Sequence, residues 1–487
     1  MKIKATIAPE KDYYAILGLQ PTTTLEEVKR VYRDLARQHH PDVSGGDAEA
    51  FRGIQEAYEV LRDPVLRQAY DRQRVARGLG REAPLECAIT LSATQLAASD
   101  TPQMLYVLLD LRPRQAVVKE RLPLNLALVI DRSTSMQGAR IGNVKLAVLN
   151  LFEGLLEHDR LAVIAFSDHA EVVAEPMSVR EIASLRSAVA NLTTGGGTEI
   201  LQGLRTGLEQ VRRFASRATN NHVVLLTDGR TYGDEETCLL EAQRAQPENI
   251  GISTLGIGDD WNDLFLDALA RHGGGICQYI SSPAQLQDLL LEHIRGLSQV
   301  TMSRLALNVN LPPWVQLQAA FRATPFMELL DVKPGCSFPL GQVGAEPLSL
   351  LLELVVHQPD AGERRVARLD FEGMARDGSV TLRRDVTVHF AAQAFEMVEE
   401  VPGRLLNTLS RLSIFRLQER AWQVLEQGDV RQATHLLESA ATRLFEIGHR
   451  ELGQVALVEA ERVQQGIAPT SRGRKQVRYG TRALIRS

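Results

Sequence analysis

Residues 126–135 read Leu126-Ala127-Leu128-Val129-Ile130-Asp131-Arg132-Ser133-Thr134-Ser135. The apolar first half is typical of a strand that is buried on both faces of a parallel sheet. The second half places a carboxylate and two hydroxyls at alternate positions, at Asp131, Ser133 and Ser135. Oxygens arranged in this way in one loop make a suitable cage for a small hard cation. The stretch therefore predicts a buried strand whose carboxyl end carries a cation site.

The residues that follow alternate between strand-like and helix-like patterns. We predict helices over 143–156 and 179–192 and strands over 161–166, 223–226 and 252–257. Two of these strands lead into acidic loops, Thr227-Asp228-Gly229 and Gly258-Asp259-Asp260. Repeated strand, loop and helix favour a doubly wound α/β sheet, in which the loops at the carboxyl ends of the strands gather at one edge.

Residues 121–298 resemble the von Willebrand factor type A domain through these loops. The resemblance implies a site for magnesium or another divalent cation, held directly or through water by Asp131, Ser133, Ser135, Thr198 and Asp228. In that family an acidic residue of a protein partner often completes the coordination. The alternative interpretation is that the aspartates satisfy backbone donors and the hydroxyls cap helices. Asp259 and Asp260 match no ligand position, so we interpret them as loop or helix-capping residues.

Both flanks of this central region have β character. Residues 299–396 contain short alternating strands separated by proline and glycine turns, and residues 85–120 have the same pattern. We expect one β-sandwich that is built from both flanks, with the central domain inserted between its strands. Such an arrangement is similar to one in bacterial type A proteins. The alternative is two unrelated β segments.

The tripeptide His40-Pro41-Asp42 lies near the N-terminus between two segments with apolar stripes at helical spacing. Thr24 and Glu27 form a capping box, which predicts the start of the first of these helices, and Pro41 ends it. The polar face of this helix is basic, with Lys29, Arg30, Arg33 and Arg37. Two short antiparallel helices that bury their apolar stripes against each other are expected.

Residues 10–74 resemble the J domain of DnaJ-type co-chaperones. The resemblance is carried by the segments 12–18, 32–36, 55–61 and 66–71, and it implies an all-α fold. In that family the tripeptide and the basic face dock on a DnaK-type chaperone and stimulate its ATP hydrolysis. The resemblance therefore assigns chaperone binding to His40, Pro41, Asp42, Lys29, Arg30, Arg33 and Arg37. The alternative is a solvated basic face beside a turn that ends a helix.

The remaining segments connect or follow these domains. Residues 75–84 are glycine-rich and are expected to form a linker. Residues 397–466 have helical stripes and are expected to form a helical hairpin that packs on the sandwich, with a repeat scaffold as the alternative. Residues 467–487 carry basic residues without any acidic residue and are expected to be a solvated tail. Contact of this tail with nucleic acid or an acidic partner is the alternative.

Composition limits the class of protein. The formal net charge of −5 and the isoelectric point near 6.2 give no general case for nucleic-acid binding. No apolar run reaches the ~20 residues of a membrane helix, and residues 1–5 lack the apolar stretch of a signal peptide. The cysteines Cys87, Cys238, Cys277 and Cys336 are far apart and predict buried thiols rather than a zinc site. We therefore expect a cytoplasmic protein.

The sequence favours a cytoplasmic co-chaperone or adaptor that is not an enzyme. Its J domain would recruit and stimulate a DnaK-type chaperone, and its type A domain would bind an acidic residue of a client or assembly partner through magnesium. The competing hypothesis is a metal-dependent interaction scaffold whose J domain only docks or is vestigial. A third hypothesis, an enzyme with a metal-activated water, lacks a legible catalytic arrangement.

Overall fold

The computed structural model describes residues 12–19, 23–38, 48–76, 85–99, 101–114, 121–151, 155–178, 182–216, 218–231, 233–332, 335–344, 346–357, 360–375, 378–391 and 400–484. The chain divides into two compact units, Met1–Ala83 and Pro84–Ser487. Among the described residues, no helix has both the length and the apolar character that crossing a bilayer requires.

The described part of the first unit is all-α, as expected. Its helices are α1 (Tyr13–Leu17), α2 (Leu25–Gln38), α3 (Ala48–Arg62) and α4 (Pro64–Ala76). The capping box forms at the start of α2, where the backbone N–H of Thr24 donates to Glu27 Oε2 at 3.1 Å and the N–H of Glu27 donates to Thr24 Oγ1 at 3.4 Å. These bonds satisfy donors that the first turn of a helix leaves unpaired.

An apolar core joins these helices. Tyr14, Val28 and Leu61 are almost fully buried within it. The rings of Tyr32 on α2 and Tyr58 on α3 stack with centroids 3.9 Å apart. The predicted packing of the two apolar stripes against each other is therefore confirmed.

Replacing Gly53 with alanine is expected to raise the local stability of the first unit by about 0.5–1 kcal/mol. Gly53 lies inside α3, and an added Cβ meets only Ile16 Cγ2, at 4.0 Å. Alanine thus lowers the entropy cost of forming the helix without a clash. Hydrogen exchange of the α3 amides in the full chain measures the effect. Gly18→Ala is the control, because Gly18 has a φ of 65° at the end of α1 and alanine there should lower the stability. Slower amide exchange in both variants would contradict the argument.

The second unit begins with strands and continues into the α/β domain. The opening strands are β1 (Leu85–Leu91), β2 (Gln95–Ala97) and β3 (Gln103–Pro113). The strands of the α/β domain are β4 (Leu124–Asp131), β5 (Arg160–Phe166), β6 (Ala170–Ser178), β7 (Asn220–Thr227), β8 (Ile250–Ile257) and β9 (Gly274–Ile280). Its helices are α5 (Ala139–Leu151), α6 (Ile182–Ala190), α7 (Ile200–Arg212), α8 (Glu235–Ala245), α9 (Asp263–His272) and α10 (Leu286–Ser298).

The α/β sheet has the strand order β6-β5-β4-β7-β8-β9. Its neighbours pair in parallel except β5 and β6, which are antiparallel. The central strands β4 and β7 are buried along their whole length between helices, which explains their continuous apolar sequences. The doubly wound sheet is therefore confirmed, and β6 is an edge strand that the sequence patterns do not reveal.

Strands from both flanks of the α/β domain share two further sheets. The second flank contains β10 (Met302–Asn310), β11 (Val315–Arg322), β12 (Glu328–Leu330), β13 (Ser337–Val343), β14 (Leu348–Val356), β15 (Gly362–Ala375) and β16 (Gly378–Ala391). One sheet has the order β1-β3-β14-β11-β12 and the other β13-β10-β15-β16-β2. The two flanks are therefore not unrelated, and the α/β domain is inserted between strands that pair with each other.

The C-terminal region forms more helices than the predicted hairpin. They are α11 (Gly403–Glu426), α12 (Val430–Glu446), α13 (Arg450–Gln464) and α14 (Ser471–Ala483). Leu405 and Phe415 of α11 pack on Leu108 and Leu351 of the first β-sheet, so the expected packing on the flanking sheets holds. A shared apolar core links α11 to the later helices.

The prediction of a solvated basic tail over 467–487 is wrong for the described residues, which include α14. Lys475 has 2% of its surface exposed and Arg478 has 6%. Arg478 Nη1 lies 3.0 Å from Asp263 Oδ2, and Arg482 Nη1 lies 2.9 Å from Asp267 Oδ1. Carboxylates of α9, far away in the sequence, neutralise Arg478 and Arg482, and the Lys475 ammonium donates to backbone carbonyl oxygens.

Candidate functional site

The loops after β4 and β7 meet because these two strands pair in parallel. Asp131 ends β4, and Asp228 directly follows β7. The Ser135 hydroxyl donates to Asp228 Oδ1 at 2.6 Å, and Ser135 Oγ lies 3.0 Å from Ser133 Oγ. The structure therefore brings the two acidic loops into one hydrogen-bonded cluster.

A third loop, which precedes α7, contacts the same cluster. The backbone N–H of Gly195 donates to the carbonyl oxygen of Arg132 at 2.8 Å. Thr198 lies against the loop after β7, since a Cβ added to Gly229 would lie 3.0 Å from Thr198 Oγ1. All five residues that the sequence singles out as oxygen ligands thus lie on loops that meet at this edge of the sheet.

Asp131 is fully buried in this cluster. Its Oδ1 accepts a hydrogen bond from the N–H of Ser133 at 2.8 Å, and its Oδ2 accepts one from the Thr227 hydroxyl at 2.6 Å. Burial raises the pKa of Asp131 to about 6, because removing a carboxylate from water disfavours its charged form. The carboxylate therefore has neutral donors on both oxygens and gains from a nearby positive charge.

Asp228 is also buried, and its positive partner is Arg140 in the first turn of α5. Arg140 Nη1 donates to Asp228 Oδ2 in a close ion pair and to the carbonyl oxygen of Ser135 at 3.1 Å. Reasoning from the sequence missed Arg140. Its signal is a basic residue placed at the start of the helix that directly follows the loop with Asp131.

The donor set of the cluster suits a hard divalent cation. Two carboxylates and three hydroxyls supply oxygen only, which is the chemistry that Mg²⁺ prefers. The guanidinium on Asp228 shows that the cluster already attracts positive charge. Among the described residues, no group of three or more His, Cys, Asp or Glu side chains is placed to hold a metal ion, so the hydroxyls are essential to any site here.

The loop after β8 takes no part in the donor set. Tyr279 donates to Asp259 Oδ1 at 2.6 Å, and Arg230 Nε donates to the carbonyl oxygen of Asp260 at 2.8 Å. The interpretation of Asp259 and Asp260 as loop residues agrees with these contacts. Capping of α9 falls to Asn262, whose Oδ1 accepts from the N–H of Phe265.

Lys475 of α14 fixes this loop from the other side. Its ammonium donates to the carbonyl oxygens of Asp259 and Trp261, each at 2.7 Å, and lies 4.1 Å from the centroid of the Trp261 ring. Burial lowers the pKa of Lys475 to about 8. A Cβ added to Gly258 would lie 3.2 Å from Arg140 Nη2. The C-terminal helix therefore holds a loop that touches the partner of Asp228.

The basic residues predicted to bind a chaperone lie on α2. Arg30, Arg33 and Arg37 are exposed, whereas Val28 on the opposite side is buried. Lys29 is partly exposed, and its ammonium lies 2.9 Å from Glu26 Oε1. His40, Pro41 and Asp42 lie outside the described residues. The described geometry presents a basic surface on one face of α2.

Family models match three segments of this chain. The DnaJ domain matches residues 12–71, the von Willebrand factor type A domain matches residues 125–292, and the Sll0103-like C-terminal alpha-helical domain matches residues 403–487. The last of these includes α14, which agrees with its packed position in the structure.

Two relatives match different shares of the chain. The uncharacterized protein sll0103 of Synechocystis sp. is 28% identical over 379 residues, which is 75% of this chain and 89% of that protein. The chaperone protein DnaJ of Caldicellulosiruptor saccharolyticus is 54% identical over 68 residues, which is 13% of this chain and 18% of that protein. This chain therefore spans less than a fifth of that DnaJ protein.

Two solved structures are similar in fold to most of this chain. A von Willebrand factor type A protein from Catenulispora acidiphila has a TM-score of 0.65 at 20% identity and covers 77% of this chain and 89% of its own. The ArnB paralog VWA2 from Sulfolobus acidocaldarius has a TM-score of 0.53 at 16% identity and covers 82% of this chain and 98% of its own. At these identities the likeness concerns the fold alone.

Proposed function

We propose that this protein is a co-chaperone or adaptor. The chain joins a DnaJ domain to a von Willebrand factor type A domain and a Sll0103-like C-terminal helical domain. Its J domain recruits a DnaK-type chaperone and stimulates ATP hydrolysis by it. Its type A domain selects the client or assembly partner through a divalent metal ion.

The J domain supports the first half of the proposal. Residues 12–71 match the DnaJ domain model, and identity to a DnaJ chaperone reaches 54% over 68 residues. The exposed arginines Arg30, Arg33 and Arg37 of α2 give this domain a positive face. Such a face steers an acidic surface of a partner into an encounter complex. In this proposal His40, Pro41 and Asp42 supply the contact that triggers hydrolysis.

The cluster at the ends of β4 and β7 supports the second half. Asp131, Ser133, Ser135, Thr198 and Asp228 would hold Mg²⁺ or another divalent cation. When bound, the ion supplies an electrophilic position for an acidic side chain of the partner. The buried carboxylates would hold the ion from within the protein, and the exposed Ser135 leaves the site open to an acidic side chain of the partner.

The observation that carries the proposal is the presence of both sites in one chain. A chaperone contact alone provides no selection of clients, and a metal-dependent contact alone provides no ATP-driven step. One specific observation favours the competing scaffold function, in which the J domain only docks or is vestigial. The match to the DnaJ chaperone comprises 68 residues, which are 13% of this chain and 18% of that protein.

A pull-down combined with an ATPase assay separates these functions. The full chain is immobilised in Mg²⁺ or in a chelator, as wild type, Asp131→Ala or Asp131→Asn, and the bound partner is identified and quantified. We expect partner capture in Mg²⁺ from wild type and at least a tenfold loss in chelator or in either variant, about 1.4 kcal/mol or more. Asp260→Ala is the matched control, because it removes an exposed carboxylate from the same edge of the sheet.

The outcomes of this experiment are distinct. Stimulation of a DnaK-type ATPase together with metal-dependent capture supports the co-chaperone. Capture without stimulation supports the scaffold. Capture that is equally strong in chelator and in the Asp131 variants would refute the metal-dependent half of the proposal.

A further inference from the structure

Arg140 occupies an unusual position beside the candidate metal site. Its side chain is 31% exposed, whereas that of its partner Asp228 is fully buried. We propose that Arg140 is an internal counter-ion, which a divalent cation has to displace from Asp228 before it can bind. This inference rests on the proposed function, because it takes Asp131, Ser133, Ser135, Thr198 and Asp228 as the ligands.

Charge balance supports this role. A carboxylate that is buried without a compensating charge is strongly destabilising, and Asp228 has only one cationic partner in its described contacts, Arg140. Within the described residues, Asp131 accepts from neutral donors, Ser133 and Thr227. The ion pair with Arg140 therefore keeps the metal-free site stable. A divalent cation brings two positive charges, which satisfy both carboxylates without Arg140.

Both carboxylate oxygens of Asp228 already have a donor. Arg140 Nη1 holds Asp228 Oδ2, and the Ser135 hydroxyl holds Asp228 Oδ1. A metal ion on Asp228 would lie close to the guanidinium, and two cations on one carboxylate repel each other strongly where water is scarce. Binding of the metal therefore requires Arg140 to move away.

The surroundings of Arg140 allow this movement. Arg140 lies in the first turn of α5, and the exposed part of its side chain can turn towards solvent. Gly258 lies beside the guanidinium, and a Cβ there would come within 3.2 Å of Arg140 Nη2. The absence of a side chain at Gly258 thus leaves space for the guanidinium. Lys475 holds the loop with Gly258 in place through the carbonyl oxygen of Asp259, so this loop is a fixed boundary on one side of the guanidinium.

Arg140 and the metal ion would therefore compete for Asp228. Arg140 weakens metal binding by the free energy needed to separate it from Asp228. Half-saturation of the site would therefore need a higher concentration of the ion than it would without Arg140, and the ion pair would stabilise the site when no ion is bound.

A manganese titration of the full chain tests the inference. Free Mn²⁺ is measured by electron paramagnetic resonance with wild type, Arg140→Gln and Lys145→Gln. We expect Arg140→Gln to bind Mn²⁺ about tenfold more tightly than wild type, within the usual range for coupled binding. Lys145→Gln is the matched control, because Lys145 lies on the same helix and donates to the carbonyl oxygen of Ala190; it should bind as wild type does.

Each outcome decides a different claim. Equal affinity of wild type and Arg140→Gln, or weaker binding by Arg140→Gln, overturns the role of Arg140 and leaves the metal site intact. Absence of binding in every protein overturns both the metal site and the role of Arg140.

A second measurement needs no variant and applies even where Arg140→Gln fails to fold. Wild type is treated with phenylglyoxal in the presence and absence of saturating Mg²⁺, and modification of each arginine is followed by peptide mass spectrometry. We expect Arg140 to react several times faster in Mg²⁺, because displacement frees its guanidinium. Arg212 is the control. It lies away from the site and pairs with Glu248 at 2.7 Å, so it should react at the same rate with and without Mg²⁺. An unchanged rate at Arg140 would overturn the inference.

Discussion

A His40→Gln chain is expected to leave the ATP hydrolysis rate of a DnaK-type chaperone at its basal value, whereas the wild-type chain raises it. Glutamine has a similar size and remains polar, but it cannot carry the charge or both ring nitrogens of histidine. His40 belongs to the tripeptide that the J-domain resemblance assigns to the chaperone contact. We therefore expect loss of stimulation with unchanged folding, measured as single-turnover hydrolysis with purified chaperone and full chain.

The matched control for this prediction is His435→Gln. His435 is an exposed residue of α12, so the same chemical change there should leave stimulation intact. Arg33→Glu adds an independent test, because Arg33 is exposed on the basic face of α2. Its variant should stimulate less, and the deficit should be largest at low salt, where charge attraction is least screened. Full stimulation by His40→Gln would refute the assigned role of the tripeptide.

An Asp267→Ala chain is expected to lose about 3–5 kcal/mol of the free energy of unfolding of the second unit. Asp267 on α9 is 5% exposed and receives Arg478 Nη2 at 3.2 Å, Arg482 Nη1 at 2.9 Å and the Tyr479 hydroxyl at 3.2 Å. Alanine removes the negative charge and leaves two arginines of α14 in a buried site with less compensation. Chemical unfolding followed by tryptophan fluorescence measures the loss, with Trp261 near this contact as a reporter.

The control for Asp267→Ala is a salt bridge on the surface of the same domain. Arg212 and Glu248 lie 2.7 Å apart with side chains that are 37% and 42% exposed. Water screens such a pair, so Glu248→Ala should cost no more than about 1 kcal/mol. Equal losses in the two variants would show that α14 is not anchored through Asp267.

Strand order explains why the loops of the candidate site meet. Asp131 and Asp228 each follow a continuous apolar run, and parallel strands place such residues at one edge of a sheet. Thr198 required the resemblance to a known domain, since its loop follows no predicted strand. The sequence analysis missed Arg140, because a basic residue in the first turn of a helix more often faces solvent.

The errors of the sequence analysis concern contacts between distant segments. The basic residues of α14 are typical of a solvated tail when only their neighbours in the chain are considered. Their carboxylate partners on α9 are more than 200 residues earlier, as for Arg482 and Asp267, which are 215 residues apart. The edge strand β6 was missed for a different reason. Its exposed residues and Pro176 suit an edge and weaken the usual strand pattern.

Because β3 pairs with β14, it has to wait for its partner strand during synthesis on the ribosome. Asp110 of β3 and Ser349 of β14 are hydrogen-bonded although 239 residues separate them. At about 5–20 residues per second, β14 emerges roughly 12–48 s after β3. During that interval β3 has an unpaired edge, and its Leu105, Val107 and Leu109, which are fully buried in the finished protein, lack their partners. The nascent chain thus has an exposed apolar strand while the 239 residues between these two positions are synthesised, at a time when the J domain has already been made.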